Sequence, residues 1–183
     1  MFRSFLNPFL YISSKRVIDV KSPAVQIAIK DMTKQMHVHK TMLGLAAPQI
    51  GHQLRIIGFR GLKSFKYGEI SSKLGYDYFP TTFLINPKLE PIGEEKVLSI
   101  ESCYSLNTRN NLQILRYRKI RVTGITPDGK KFDQCFTDGL SFVLQHEIDH
   151  LDGILIEKSG QKFLFLGIFS TICAGILLYT ITF

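Results

Sequence analysis

The chain has 183 residues, 45% of them hydrophobic, and a formal net charge of +8. Its length and apolar content suit one well-packed domain and exclude a disordered polymer or a large multidomain assembly. The basic residues stand singly or in pairs, which argues against sequence-specific nucleic-acid binding and leaves solubility, or attraction to an acidic surface such as ribosomal RNA or anionic lipid. The opening stretch MFRSFLNPFLYISSKR lacks acidic residues and reads as the first strand of the domain, with a short transit-like segment as the alternative. Ser22-Pro23 then predicts a capped helix start, and Val25, Ile29, Met32 and Met36 carry an amphipathic helix over roughly 23–39. GLAAPQIG (44–51) is a small-residue loop or short strand, LRIIGF (54–59) a strand, and 60–80 a surface excursion. FLIN (83–86) reads as a strand stopped by Pro87. ILRYRKIRVTGI (114–125) and KKFDQCF (130–136) read as a hairpin around the Pro127-Asp128-Gly129 turn. Asp138 is the expected cap of a last helix bearing Leu140, Val143, Leu144, Ile148 and Leu151, closed near Gly153.

The end of the chain differs from the rest. Residues 163–183, FLFLGIFSTICAGILLYTITF, contain no charge and would span about 31 Å as a helix. A membrane tail is the favoured expectation, and a buried helix or strand pair the alternative. Lys158 and Lys162 flank the run and would keep the domain on the cytoplasmic side. The predicted organisation is therefore α+β: antiparallel sheets around a central helix over 1–160, then an apolar tail over 161–183. Three cysteines, Cys103, Cys135 and Cys173, lack the even count and close spacing of a disulfide framework and suit a reducing compartment. Cys135 reads as a core residue and Cys173 as a small apolar filler, while His37, His39 and His52 read as surface or loop histidines.

Within QHEIDH (145–150), His146 and His150 lie four apart on one helix face and can share a metal ion. Glu147 lies alongside as an acid/base. A chance match on a solvated face is the ordinary alternative. Two histidines do not complete a catalytic site, which takes three protein ligands and one open position. In the extended pattern HExxHxxGxxH the third would fall at 156, but that residue is Ile156, which leaves a distant glutamate as one open choice.

GLAAPQIG (44–51), ESCYS (101–105) and QHEIDHLDG (145–153) occur in that order, with FLINPKLEP and PDGKKF between them. Together they resemble the signature blocks of the peptide deformylase family over roughly residues 5–157. The resemblance implies Cys103 as third metal ligand with His146 and His150, and Glu147 as the group that takes a proton from water and returns it to the leaving amine. It implies Gln49 and the backbone N–H of Tyr104 as oxyanion donors, and Gly44 as the point where an extended peptide approaches. Leu43, Phe142 and Val143 are candidates for a methionine pocket, Arg109 for a substrate-backbone contact, and Glu101 for orienting the site by hydrogen bonding. The implied reaction removes the formyl group from the N-terminal methionine of nascent chains, at the ribosome, in the cytoplasm or alternatively an organellar matrix. The implied cofactor is one divalent ion, Fe2+ with Zn2+ or Ni2+ accepted. Three positions depart from the family pattern: Ser102 and Met42 stand where glycine is usual, and Tyr104 where leucine is usual. Ser102 would be strained if its φ were positive, and Met42 could narrow the cleft. These departures motivate a competing expectation, a degenerate paralogue that binds metal and peptide without efficient turnover. HEIDH alone motivates a third, a small metallopeptidase on another fold.

Overall fold

Proline at the first helical position starts α1 (Pro23–Val38), and Val25, Ala28, Met32 and Met36 form its buried stripe. The Ser22 hydroxyl makes no capping bond, so the fixed φ of Pro23 sets this start rather than a side-chain cap. The computed structural model describes residue 2 and residues 7–61, 79–106, 112–156 and 179–180. The second helix, α2 (Asp138–Leu151), follows an N-cap Thr137 that also lacks a side-chain cap. Asp138 does not cap it either: it takes φ 52°, and its carboxylate accepts a hydrogen bond from Arg118 Nε at 3.0 Å. Gly153 closes α2 at φ 73°, where a Cβ would stand 2.7 Å from the Tyr11 backbone.

Among the described residues, eight strands fall into two sheets. The larger has the order β1-β2-β3-β6-β7, built from β1 (Gly44–Ala46), β2 (Ile56–Phe59), β3 (Thr82–Pro91), β6 (Lys119–Ile125) and β7 (Lys131–Thr137). All its pairings are antiparallel. The smaller has the order β5-β4-β8, with β4 (Lys96–Glu101) antiparallel to β5 (Leu112–Tyr117) and parallel to β8 (Tyr179–Thr180). Period-2 alternation divides the core. Ile57 and Phe59 join Leu140, Val143, Leu144 and Leu151 of α2, whereas Ile56 joins Val25, Met32 and Met36 of α1. The large sheet thus carries one helix on each face, which is the α+β arrangement expected.

Several expectations change in detail. The described part of the opening segment is not a strand: Pro8–Tyr11 form a 3₁₀ turn, and Lys15 makes only an isolated bridge to Leu54. Pro87 does not stop β3, because the register shifts between Ile85 and Lys88 and the irregularity absorbs the missing N–H. There Asn86, at φ 51°, exchanges two hydrogen bonds with the Val17 backbone at 2.8 and 2.9 Å and ties the N-terminal segment to the sheet. The run 114–125 is two strands in different sheets, separated at Arg118. The Arg118 N–H bonds Glu95 O at 2.9 Å while its side chain pairs with Glu95 and Asp138. Cys135 is exposed rather than core, because on β7 it alternates with buried Phe136 and faces outward opposite Arg121. Residues 62–78, most of the expected excursion, lie outside the described residues. So does the tail expected over 161–183, including Cys173, apart from Tyr179–Thr180. Among the described residues no helix is long and apolar enough to cross a membrane.

Candidate metal centre

Helix α2 crosses between the two sheets almost wholly buried, so its polar residues are enclosed as well as its apolar ones. His146 and His150 project one turn apart, their rings 4.8 Å between centroids. Strand β4 ends at Glu101 and delivers Cys103 to the same point, with Cys103 Sγ 3.2 Å from His150 Nε2. The ligand atoms of Cys103, His146 and His150 lie within 4.8 Å of one another, and all three residues are buried. A thiolate and two imidazoles make a set that suits iron, zinc or nickel. Burial opposes charge on Cys103, yet His150 and His146 hold its thiol well below the ordinary value. Burial likewise opposes charge on His146, but Cys103 and Glu101 lift it well above the ordinary range. Two buried polar atoms, Glu147 Oε2 and His150 Nδ1, find no partner among the described residues. Unanswered polar atoms around converging soft donors are what a resident cation and its solvent would satisfy, so the residues fit a metal ion.

Hydrogen bonds orient this set. His146 Nδ1–H donates to Glu101 Oε2 at 2.9 Å, so that in the neutral ring Nε2 is the lone-pair nitrogen. Glu101 is fully enclosed and takes two bonds from Arg116, at 2.7 and 2.9 Å. Burial pushes the Glu101 carboxyl up, but Arg116 outweighs it and holds the carboxyl down at about 2. Arg116 also donates to Asp149. Gln49 is oriented through its own turn, its Oε1 accepting from the Ala46 N–H at 2.8 Å. Its amide NH₂ then points at Cys103 Sγ, 3.6 Å away, and Ser105 Oγ, 3.3 Å away. Glu147 is buried, and burial lifts its carboxyl to about 7 against the opposing pull of His146 and His150.

Gly44 leaves its space to a neighbouring side chain. A Cβ built there would collide with Glu147 Oε1 and lie 2.8 Å from Glu147 Cδ. Gly44→Ala is therefore expected to displace the carboxylate and lower kcat/KM at least 10-fold with the metal retained, a loss typical of a misplaced reacting group. Steady-state kinetics beside metal analysis checks this, and unchanged kinetics would contradict the assignment.

Leu43, Phe142 and Val143 come together in the apolar cluster that also holds Ile57 and Phe59. Tyr104 directs its ring to Phe2 and His39, at 5.2 and 5.4 Å between centroids, so only its backbone adjoins Cys103. Arg109 lies outside the described residues. Met42 is 1% exposed and packs with Met32 and Met36. Ser102 is not among the described non-glycine residues with positive φ, which are Asn86 and Asp138, so no strain arises there. His52 pairs with Asp31 at 2.8 Å, as a surface histidine does. The sequence reading missed Arg116, although β5 alternation places it on the face of buried Ile114.

Comparisons with known proteins agree with this geometry. The family model described as polypeptide deformylase matches residues 2–162. Peptide deformylase 1 of Nitrosomonas europaea is 34% identical over 149 residues, 81% of this chain and 80% of that protein. Peptide deformylase 1A of Arabidopsis thaliana, described as chloroplastic/mitochondrial, is 33% identical over 81% of this chain and 56% of its own length. The crystal structure of peptide deformylase from Ehrlichia chaffeensis superposes with a TM-score of 0.75 at 31% identity, covering 89% of this chain and 88% of that one.

Proposed function

Because the chain belongs to the polypeptide deformylase family, metal-dependent hydrolases that remove formyl groups, we propose a specific division of labour within its site. Cys103, His146 and His150 hold one divalent ion, ferrous iron in the cell, with zinc or nickel as substitutes. That ion, when bound, acts as a Lewis acid that brings water within reach of deprotonation near neutral pH. Glu147 accepts the proton of the attacking water and returns it to the amine of methionine as the C–N bond breaks. Gln49 Nε2–H and the Tyr104 N–H donate to the formyl oxygen as negative charge gathers on it. Gly44 admits the peptide backbone, Leu43, Phe142 and Val143 border the methionine side chain, and Arg109 steadies the backbone beyond it. The observation that carries this reading is the enclosed Cys103–His146–His150 set beside Glu147 Oε2, which has no partner among the described residues.

Unstrained Ser102 and core-packed Met42 weaken two of the three motives for a degenerate paralogue, Tyr104 being the third, and the match over 2–162 argues against a metallopeptidase on another fold. In cells the substrates are formylated nascent chains met at the ribosome. The proposed compartment is the cytoplasm, with an organellar matrix as the alternative, and 1–160 is the catalytic unit. The uncharged run 163–183 supports a membrane-tethered end, although a helix through it would give up the pairing of Tyr179–Thr180 with β4.

The test uses the full chain loaded anaerobically with iron, or with nickel. A formyl-Met tripeptide should be hydrolysed and its acetyl counterpart left intact, and Cys103→Ala should lose both the metal and the activity. Metal-loaded protein with no formyl release would sink the proposal. Carbonate-washed membranes retain the chain if the tail is an anchor and release it otherwise.

A further inference from the structure

The turn after Cys103 places a second side chain against Gln49. Leu106 N–H donates to Cys103 O at 3.0 Å, which folds residues 103–106 tightly. The side chains of Cys103 and Ser105, two positions apart, both meet the Gln49 amide as a result. Gln49 itself sits on a separate 3₁₀ turn, Ala47–Ile50. Its Oε1 accepts from the Ala46 N–H at 2.8 Å, and its Nε2 lies 3.3 Å from Ser105 Oγ and 3.6 Å from Cys103 Sγ. Both Gln49 and Ser105 are buried, so bulk water cannot take the place of a lost partner. The three contacts are not equivalent. Ala46 decides which end of the amide carries the oxygen, because its N–H faces an acceptor and not an NH₂ group. That single anchor leaves the amide free to pivot about the bond to Oε1. Ser105 supplies the second anchor, from the turn after β4, and fixes the plane. The contact with sulfur is the longest, and a ligand sulfur shares its charge with the ion it holds.

We infer that Ser105 is a positioning residue for deformylation: its Oγ holds one N–H of the Gln49 amide and so keeps the other for the formyl oxygen. On substrate binding the N–H beside Cys103 Sγ is given over to that oxygen, and the bond to Ser105 stays. The donor then meets the growing negative charge already oriented, with no reorganisation at the moment of reaction. In this role Ser105 acts through Gln49 alone. The inference rests on the reading of Gln49 as an oxyanion donor.

A double-mutant cycle on the full nickel-loaded chain, with the formyl-Met tripeptide as substrate, tests it. Gln49→Ala should lower kcat about 10²- to 10³-fold, the loss typical of a missing oxyanion donor. Ser105→Ala should lower kcat about 10-fold with KM within about 2-fold and the metal retained, because the donor is misaligned and not removed. In the Gln49→Ala background Ser105→Ala should cost less than about 2-fold, since nothing remains for it to orient. If alanine disturbs folding, the isosteric pair Ser105→Thr and Ser105→Val makes the same comparison. Threonine keeps the acceptor and should turn over about 10-fold faster than valine. A readout independent of turnover is the Gln49 side-chain NH₂ pair in NMR spectra of the zinc-loaded chain, identified by its absence from Gln49→Ala. These resonances should shift in Ser105→Ala. Unchanged kcat in Gln49→Ala overturns the donor reading and the inference with it. A full loss in Gln49→Ala beside a Ser105→Ala variant within about 2-fold of wild type overturns the inference alone. An equal loss from Ser105→Ala in both backgrounds would mark a packing role and overturns it too, as do unmoved NH₂ resonances.

Discussion

Glu147→Gln is expected to lower kcat for a formyl-Met tripeptide by about 10²- to 10⁴-fold while the metal stays bound, the range for removing a positioned acid/base. The amide keeps the shape of the carboxyl, so Gly44 still accommodates it, but it cannot accept the proton of water. Burial raises the Glu147 carboxyl to about 7. A dication held by the adjacent ligands lowers it again, because positive charge favours the carboxylate. The acidic limb of kcat/KM in the metal-loaded enzyme should therefore lie at or below about pH 7, with activity rising as pH rises through it. The variant should lack that limb. Metal analysis with stopped-time kinetics over pH separates the outcomes, and a variant within 10-fold of wild type would remove Glu147 from the acid/base role.

Arg116→Met should destabilise the fold by about 3–5 kcal/mol, because it leaves an enclosed carboxylate without its cation. Arg116 is the partner of Glu101, which is 0% exposed, and its other donors reach Asp149. The sign follows from the direction of the Glu101 shift. Its carboxyl is held at about 2 in the folded chain against an ordinary 4.5, so the folded state binds that proton less tightly than the unfolded chain. The stabilisation is fully present above about pH 4.5 and is lost as pH falls toward 2, a difference of roughly 3 kcal/mol. Urea unfolding at neutral pH should show the loss in Arg116→Met, and much of the acid dependence should vanish with it. Adding Glu101→Gln should recover part of the stability, since no buried charge then remains unpaired. Metal affinity should fall about 10- to 100-fold in the single variant, because Glu101 orients His146. A loss below about 1 kcal/mol would show that water reaches this pair and screens it.

Much of the metal centre was legible along the chain. His146 and His150 sit on one helix face by spacing, and the role read for Glu101 as an orienting neighbour matches its bond to His146. The fold was legible where period decided it: α1, the β6–β7 hairpin with Gly129 at φ 89°, and the closure of α2 at Gly153. It was not legible where neighbours decide. The run from Ile114 to Ile125 is continuously strand-like, and only the Arg118 contacts with Glu95 and Asp138 divide it between two sheets. Cys135 looked apolar enough for the core, but Phe136 next to it took the inward face.

The sequence alone determined which donors exist and how those on α2 are spaced, because covalent geometry and the helical repeat act over a few residues. Tertiary structure decided that Cys103 meets His150 from 47 residues away, at 3.2 Å. It also decided that Arg116 turns inward to hold Glu101, and that Gly44 leaves its space to Glu147. Each of these depends on a second element arriving at the same place, and no local pattern encodes that arrival. ESCYS, read on its own, holds a cysteine; only the tertiary fold brings it together with two histidines.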